Sequence, residues 1–158
     1  MANVKPIPDG YHSVTPYLFI KGAASAIDYY KSAFGAKERM RMPGPNNRVM
    51  HAELQIGDSI IMLADENPQM GATSPQTAGG SSNSLHVYVE DVDAVTQKAV
   101  QAGAKLVRDI KDEFYGDRTS TISDPFGQIW SIATHIEDVS PQEMKKRMNN
   151  LMSQAATT

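Results

Sequence analysis

Cysteine is absent from the 158 residues. That excludes disulfides, thiolate metal sites, iron–sulfur clusters and a cysteine nucleophile together. No apolar run approaches the roughly 18 residues that a membrane-spanning helix needs. The start, MANVKPIPDGYHSV, has no apolar stretch flanked by basic residues, so it does not read as a signal peptide. Neither sign of charge is concentrated: 15 Lys+Arg stand against 18 Asp+Glu, a net charge of −3. This argues against a nucleic-acid binder driven by phosphate neutralisation. A cytoplasmic location fits these absences. What is present is ordinary for a globular chain, 41% hydrophobic and 21% charged, and the length suffices to bury a core without staples. Four histidines are the only imidazole ligands or bases.

The strongest positive feature is an internal repeat. Gly35-Ala36-Lys37 recurs as Gly103-Ala104-Lys105. Before each lies a β-branched and aromatic run, Thr15–Ile20 and Ser84–Val89, and then a segment of helical periodicity. Ala23, Ile27, Tyr30 and Phe34 mark the first helix, Val92, Val95, Ala99 and Ala102 the second. A glycine ends each helix, and Asp91 or Glu90 is placed to cap the start of the second. Three strands are predicted after each helix: Lys37–Met42, Arg48–Ile56 and Ser59–Ala64, then Lys105–Asp109, Arg118–Ser123 and Gln128–Ala133. Gly57-Asp58 and Asp124-Pro125-Phe126-Gly127 are turn chemistry. The chain therefore reads as βαβββ twice, an α+β protein with modules at 14–65 and 84–138 that together make one domain.

Residues 66–83 are rich in Gly, Pro, Ser and Thr, which reads as a flexible linker or as a mobile flap over a pocket. Residues 139–154 read as a C-terminal helix. Ser140 with Glu143 makes a capping-box pattern, and Met144, Met148, Leu151 and Met152 form an apolar stripe suited to docking on the core or on a second subunit.

The tandem βαβββ pattern resembles the vicinal oxygen chelate superfamily of glyoxalase I, bleomycin-resistance proteins and extradiol dioxygenases, and its PhnB-like branch in particular. The residues that carry this are Thr15-Pro16-Tyr17-Leu18, Ala26–Ala36, Met50-His51-Ala52-Glu53-Leu54, Val89–Asp93, Gly116-Asp117-Arg118 and, most specifically, Asp124–His135. The methyltransferase label that some PhnB-like proteins carry finds no S-adenosylmethionine motif here. The resemblance implies two modules that face each other, within or between chains, and enclose a cavity, with a homodimer expected. It also implies a divalent metal held by the first and last strands of each module, acting as a Lewis acid.

Aligning on the helix starts and turns puts Thr15, Met62, Ser84 and Ser131 in the four ligand slots. None is an imidazole or a carboxylate, so no metal and no other cofactor is expected, a divalent ion surviving only as the lesser alternative. A two-residue slip would bring His86 to a slot. The expected partner is a small organic molecule, not a nucleic acid or a membrane. Strand alternation sets residues two apart on one face, about 6.5–7 Å apart. It gathers Tyr17 with Phe19, His51 with Glu53, His86 with Tyr88, and Thr121 with Thr119 as the lining, with Ser131 on the last strand. These are the candidate ligand-binding residues, and the aromatic ones suit a flat, partly apolar ligand. His51, Glu53 and His86 are the catalytic candidates, should the protein be an acid–base or metal-dependent lyase, isomerase or dioxygenase. Trp130 is expected in the core, His135 in a structural role beside Glu137 and Asp138, and Arg118 paired with Asp117 or Asp124.

Overall fold

The computed structural model describes residues 4–155. It contains two four-stranded mixed sheets. Strands β1 (Tyr17–Ile20), β2 (Lys37–Pro43), β3 (Val49–Ile56) and β4 (Ser59–Asp65) form the first, in the order β1-β4-β3-β2. Strands β5 (Ser84–Tyr88), β6 (Lys105–Asp112), β7 (Asp117–Ser123) and β8 (Ile129–His135) form the second, in the order β5-β8-β7-β6. The first strand of each sheet runs parallel to the last, and the other pairings are antiparallel. Helices α1 (Ala23–Phe34) and α3 (Val92–Gln101) make the crossovers.

Local chemistry fixes the element ends. Gly35 closes α1 in the left-handed region, at φ 65°, with its N–H on the Tyr30 carbonyl. The Asp91 carboxylate accepts from the Ala94 N–H at 2.9 Å and caps α3. The start of α1 is capped from a distance. Asp65, at the end of β4, accepts from Gly22 N (3.1 Å) and Ala23 N (3.0 Å) with one oxygen and from Val49 N (2.6 Å) with the other. Strand β1 begins two residues later than predicted because Pro16 has no N–H to give the ladder, although its carbonyl still accepts from Met62 N at 2.8 Å.

One continuous core lies between the modules. It joins the helix-facing residues of the first sheet (Leu18, Ile20, Ala52, Leu54, Leu63) to those of the second (Ile122, Trp130, Ile132), with the inner faces of α1 and α3 between them. Tyr30 stacks edge-on to Trp130 at 5.4 Å and Phe34 lies 4.5 Å from it. The Tyr30 hydroxyl (2.8 Å) and the Trp130 indole N–H (3.0 Å) both donate to Asp124. Tyr30 and Trp130, both buried, each contribute on the order of 1.5–3 kcal/mol of apolar transfer energy, so α1 welds the first module to the second.

Two segments carry detail beyond the sequence reading. The connection 66–83 builds its own turns: a bridge between Asn67 and Ala72, a 3-10 turn at Pro68–Met70 and a single helical turn, α2 (Pro75–Ala78). Glu66 accepts from Ser74 N (3.0 Å) and Thr77 Oγ1 (2.9 Å), and Gln76 donates to the Pro125 carbonyl (2.9 Å). The same residue types serve turns and linkers, so composition could not separate the two. Helix α4 (Pro141–Ala155) forms with the Glu143 N–H on Ser140 Oγ (3.2 Å), but none of its side chains is buried. Within the chain it is not docked on the core. Arg147 tethers it through two bonds to Glu137 (2.7 and 2.8 Å) and one to the Phe114 carbonyl (3.2 Å). Met148, Leu151 and Met152 stay exposed.

Candidate functional site

The face of each sheet turned away from the shared core carries the predicted polar and aromatic residues. Strand pairing shows which of them stand side by side. Tyr17 pairs with Met62, Met62 with Glu53, and Glu53 with Met40, giving one row across the first sheet. His86 pairs with Ser131, Ser131 with Thr121, and Thr121 with Arg108, giving the matching row across the second. The first-strand residues directly beside Met62 and Ser131 are Tyr17 and His86, each two positions along its strand from the aligned Thr15 and Ser84. Alternation along one strand defines a face but says nothing of the register between strands.

On the first sheet four side chains form a hydrogen-bonded chain. Tyr17 Oη lies 3.0 Å from His51 Nδ1, and His51 Nε2 lies 3.4 Å from Glu53 Oε1. Tyr11, from the arm preceding β1, donates its hydroxyl to Glu53 Oε2. An ionised Glu53 only accepts, so the consistent assignment has Nε2–H donating to Glu53 and Nδ1 accepting from Tyr17. Tyr17 also packs on Phe19, with ring centroids 4.9 Å apart, and Arg39 lies 5.2 Å over the Tyr11 ring. Glu53 is only 8% exposed. Accepting from Tyr11 raises the phenol's pKa above its usual value, with burial adding to the same effect. Between arm and sheet lies a cavity of about 450 Å³ lined by Ile7, Tyr11, His12, Thr15, Glu53 and Met62, among others.

On the second sheet His86 Nδ1 lies 2.9 Å from Ser131 Oγ, and the His86 and Tyr88 rings meet edge to face at 4.8 Å. A cavity of about 250 Å³ is lined by His86, Arg108, Lys111, Tyr115, Thr121 and Ser131, among others. The Tyr88 hydroxyl donates to the buried Asp117 at 2.9 Å. Asp117 also holds His135 Nδ1 at 2.7 Å, while His135 Nε2 lies 3.0 Å from Asp138. Facing two carboxylates, the imidazole is held above its ordinary pKa, chiefly by Asp117 and then by Asp138. A third cavity, about 480 Å³, opens between the modules and is lined by Thr15, Pro16, Ile60, His86, Tyr88 and others.

His51 and Glu53 are thus brought together as expected, with Tyr17 joining them. His86 is not. No hydrogen bond or ring contact links it to that pair among the described residues, and it belongs with Ser131, Tyr88 and Thr121. Trp130 lies in the core, 2% exposed. Arg118 pairs with neither predicted partner. It bonds bidentately to Asp93 (2.7 and 2.9 Å) and also to Asp112 (2.7 Å), because neighbours on a strand point to opposite faces and Asp117 looks the other way. The sequence reading missed Tyr11, Arg39 and Asp117. For Tyr11 a signal existed, the Pro8-Asp9-Gly10 turn just before it.

Residues 10–132 match the family model of the Glyoxalase/Bleomycin resistance protein/Dioxygenase superfamily. The chain belongs to that superfamily. An uncharacterized Mycobacterium bovis protein, Mb0911c, is 38% identical over 151 residues, which are 94% of this chain and 95% of that protein. An uncharacterized Arabidopsis thaliana protein, At5g48480, is 30% identical over 115 residues, 68% of this chain and 69% of that one. Its solved structure superposes with a TM-score of 0.61, covering 78% of this chain and 98% of that one. The crystal structure of TioX from Micromonospora sp. ML1 gives a TM-score of 0.62 at 23% identity, over 82% and 100% of the two chains, a likeness of fold.

The superfamily's divalent metal can be tested against this donor set. The aligned slots Thr15, Met62, Ser84 and Ser131 hold three hydroxyls and a thioether, and the strand neighbours Tyr17 and His86 add a phenol and one imidazole. A hard or borderline divalent ion asks for imidazole nitrogen or carboxylate oxygen, and charge to offset its own. One imidazole among these groups does not meet that demand. Among the described residues no three of His, Asp and Glu gather in a way that holds a metal. The slots do not fit the ion.

Proposed function

We propose that this superfamily member binds a small, partly aromatic organic molecule on the outward face of its sheets and does so without the metal of its enzymatic relatives. The observation that carries this reading is the slot row itself, where Tyr17, Met62, His86 and Ser131 supply packing surface and hydrogen bonds instead of ligand charge. Tyr17, Phe19 and Tyr88 offer aromatic walls. His51, Glu53, His86, Thr121 and Ser131 offer the few polar groups that orient a ligand. The proposed ligand faces lie on the far side of each sheet from the shared core, and beyond the cover that the N-terminal arm gives the first sheet they are open to a second copy. We therefore read the working form as a homodimer, to which the exposed Met148, Leu151 and Met152 of α4 contribute covering surface. The test is metal analysis of protein purified without chelator. The reading predicts metal far below one equivalent per chain. One tightly held equivalent of nickel, zinc, iron or manganese contradicts it.

A second reading is favoured by one observation, the oriented Tyr17–His51–Glu53 chain. His51, held between a phenol and a carboxylate, has the arrangement of a positioned acid–base group. That reading predicts that His51→Ala and Glu53→Ala abolish turnover of the bound molecule while leaving the fold intact; unchanged turnover removes both roles.

A further inference from the structure

We infer that the N-terminal arm is a strap that seats its own phenol, Tyr11, in the recognition site of the first sheet, and that the site's ligand is a neutral phenol that displaces it. The inference rests on the binding reading above and names the ligand class for it.

The strap is built by a turn. The Tyr11 N–H donates to the Pro8 carbonyl at 3.1 Å, and Gly10, the third residue of that turn, sits at φ 83°, where only glycine is at ease. Lys5 bonds Asp9 at 2.7 Å across the arm. The turn delivers Tyr11 onto groups that the sheet itself owns. Glu53, on β3, accepts the phenolic hydrogen, and Arg39, on β2, lies over the ring at 5.2 Å. A buried acceptor for an O–H and a cation over a π face together recognise a phenol. Glu53 is held by His51 on its other oxygen. It favours a protonated hydroxyl and repels a phenolate or a carboxylate, which sets the charge of the ligand.

The strap is also lightly held. The core contains no residue of the arm. Among the described residues, the Tyr11–Glu53 bond is the side-chain hydrogen bond that joins residues 4–13 to the sheet. The space of about 450 Å³ beside it is larger than one ring needs, and it reaches Met62 in the slot row. A free phenol with an apolar substituent fills both the Tyr11 position and this space. The tethered phenol competes with it intramolecularly, so the strap sets the ligand concentration at which the site fills.

The experiment titrates p-cresol, the detached side chain of tyrosine, into the full chain and into Tyr11→Ala, Tyr11→Phe and Tyr11→Ala/Glu53→Gln, followed by amide NMR shifts. Toluene is the control without the hydroxyl. Spectra of the free proteins establish that each variant is folded, and Tyr11→Phe, which keeps the ring, serves if the alanine variant is not. Tyr11→Ala is expected to bind p-cresol about tenfold or more tightly than the parent, the factor that one charge-assisted hydrogen bond is worth. Glu53→Gln should remove that gain, and toluene should show none. Equal affinity in parent and variant, or an equal gain for toluene, overturns the strap. If p-cresol gains nothing while another compound binds without metal and shifts His51, the strap fails and the binding reading stands. If no compound binds without metal, the binding reading fails as well.

Discussion

Asp124 concentrates more of the structure than any residue of the candidate site. Four donors converge on its buried carboxylate: the Tyr30 hydroxyl, the Trp130 indole N–H, and the backbone N–H groups of Phe126 and Gln128. Burial raises its pKa, and those four donors pull it the other way. Asp124→Ala leaves buried donors without an acceptor and should cost about 3 kcal/mol or more, read as a lower urea midpoint at unchanged slope. His135 titrates in the opposite sense from a paired carboxylate. Its folded pKa is raised, so the stability from its pairing with Asp117 and Asp138 is complete below the ordinary imidazole value of 6.5 and is lost as pH rises through the raised value. An NMR titration should place its midpoint above 6.5, and Asp117→Asn should lower it; a midpoint unmoved by that change would show that Asp117 is not the cause. The sequence placed Trp130 correctly because alternation along β8 fixes its face. It misassigned Arg118 because nearness in sequence is not nearness in space on a strand.

At the level of elements, helix periodicity and turn residues were legible. Helix α1 runs from Ala23 to Phe34 as predicted, and Asp91 caps α3. The register between strands was not legible, because hydrogen-bond pairing is a relation between distant segments. That is why Tyr17 and His86, rather than Thr15 and Ser84, stand beside Met62 and Ser131. The placement of the N-terminal arm was hidden for the same reason, since Tyr11 and Glu53 are 42 residues apart in the chain. Helix α4 illustrates the limit of pattern alone. Its apolar stripe was visible, but the Arg147 guanidinium that ties it to Glu137 and the Phe114 carbonyl was not. Arg147→Ala should therefore raise amide hydrogen exchange across 141–155 several-fold while changing global stability little, since an exposed ion pair contributes about 0.2–1 kcal/mol. Unchanged exchange there would mean that something other than Arg147 holds the helix.

For the whole molecule, the repeat predicted two like modules, and the fold contains them, joined through one core that α1 and α3 share. That arrangement turns both candidate ligand faces outward, where the proposed homodimer covers them: light scattering at micromolar concentration should report twice the 17.3 kDa chain mass, and Leu151→Glu on α4 should shift the protein toward monomer. Binding without metal is open to a thermal-shift screen of chelator-treated protein against small aromatic compounds, run in parallel with nickel, zinc, manganese and iron salts. At least one organic compound should raise the melting temperature with no metal added. Stabilisation by divalent ions alone, with no response to any organic compound in their absence, would contradict it.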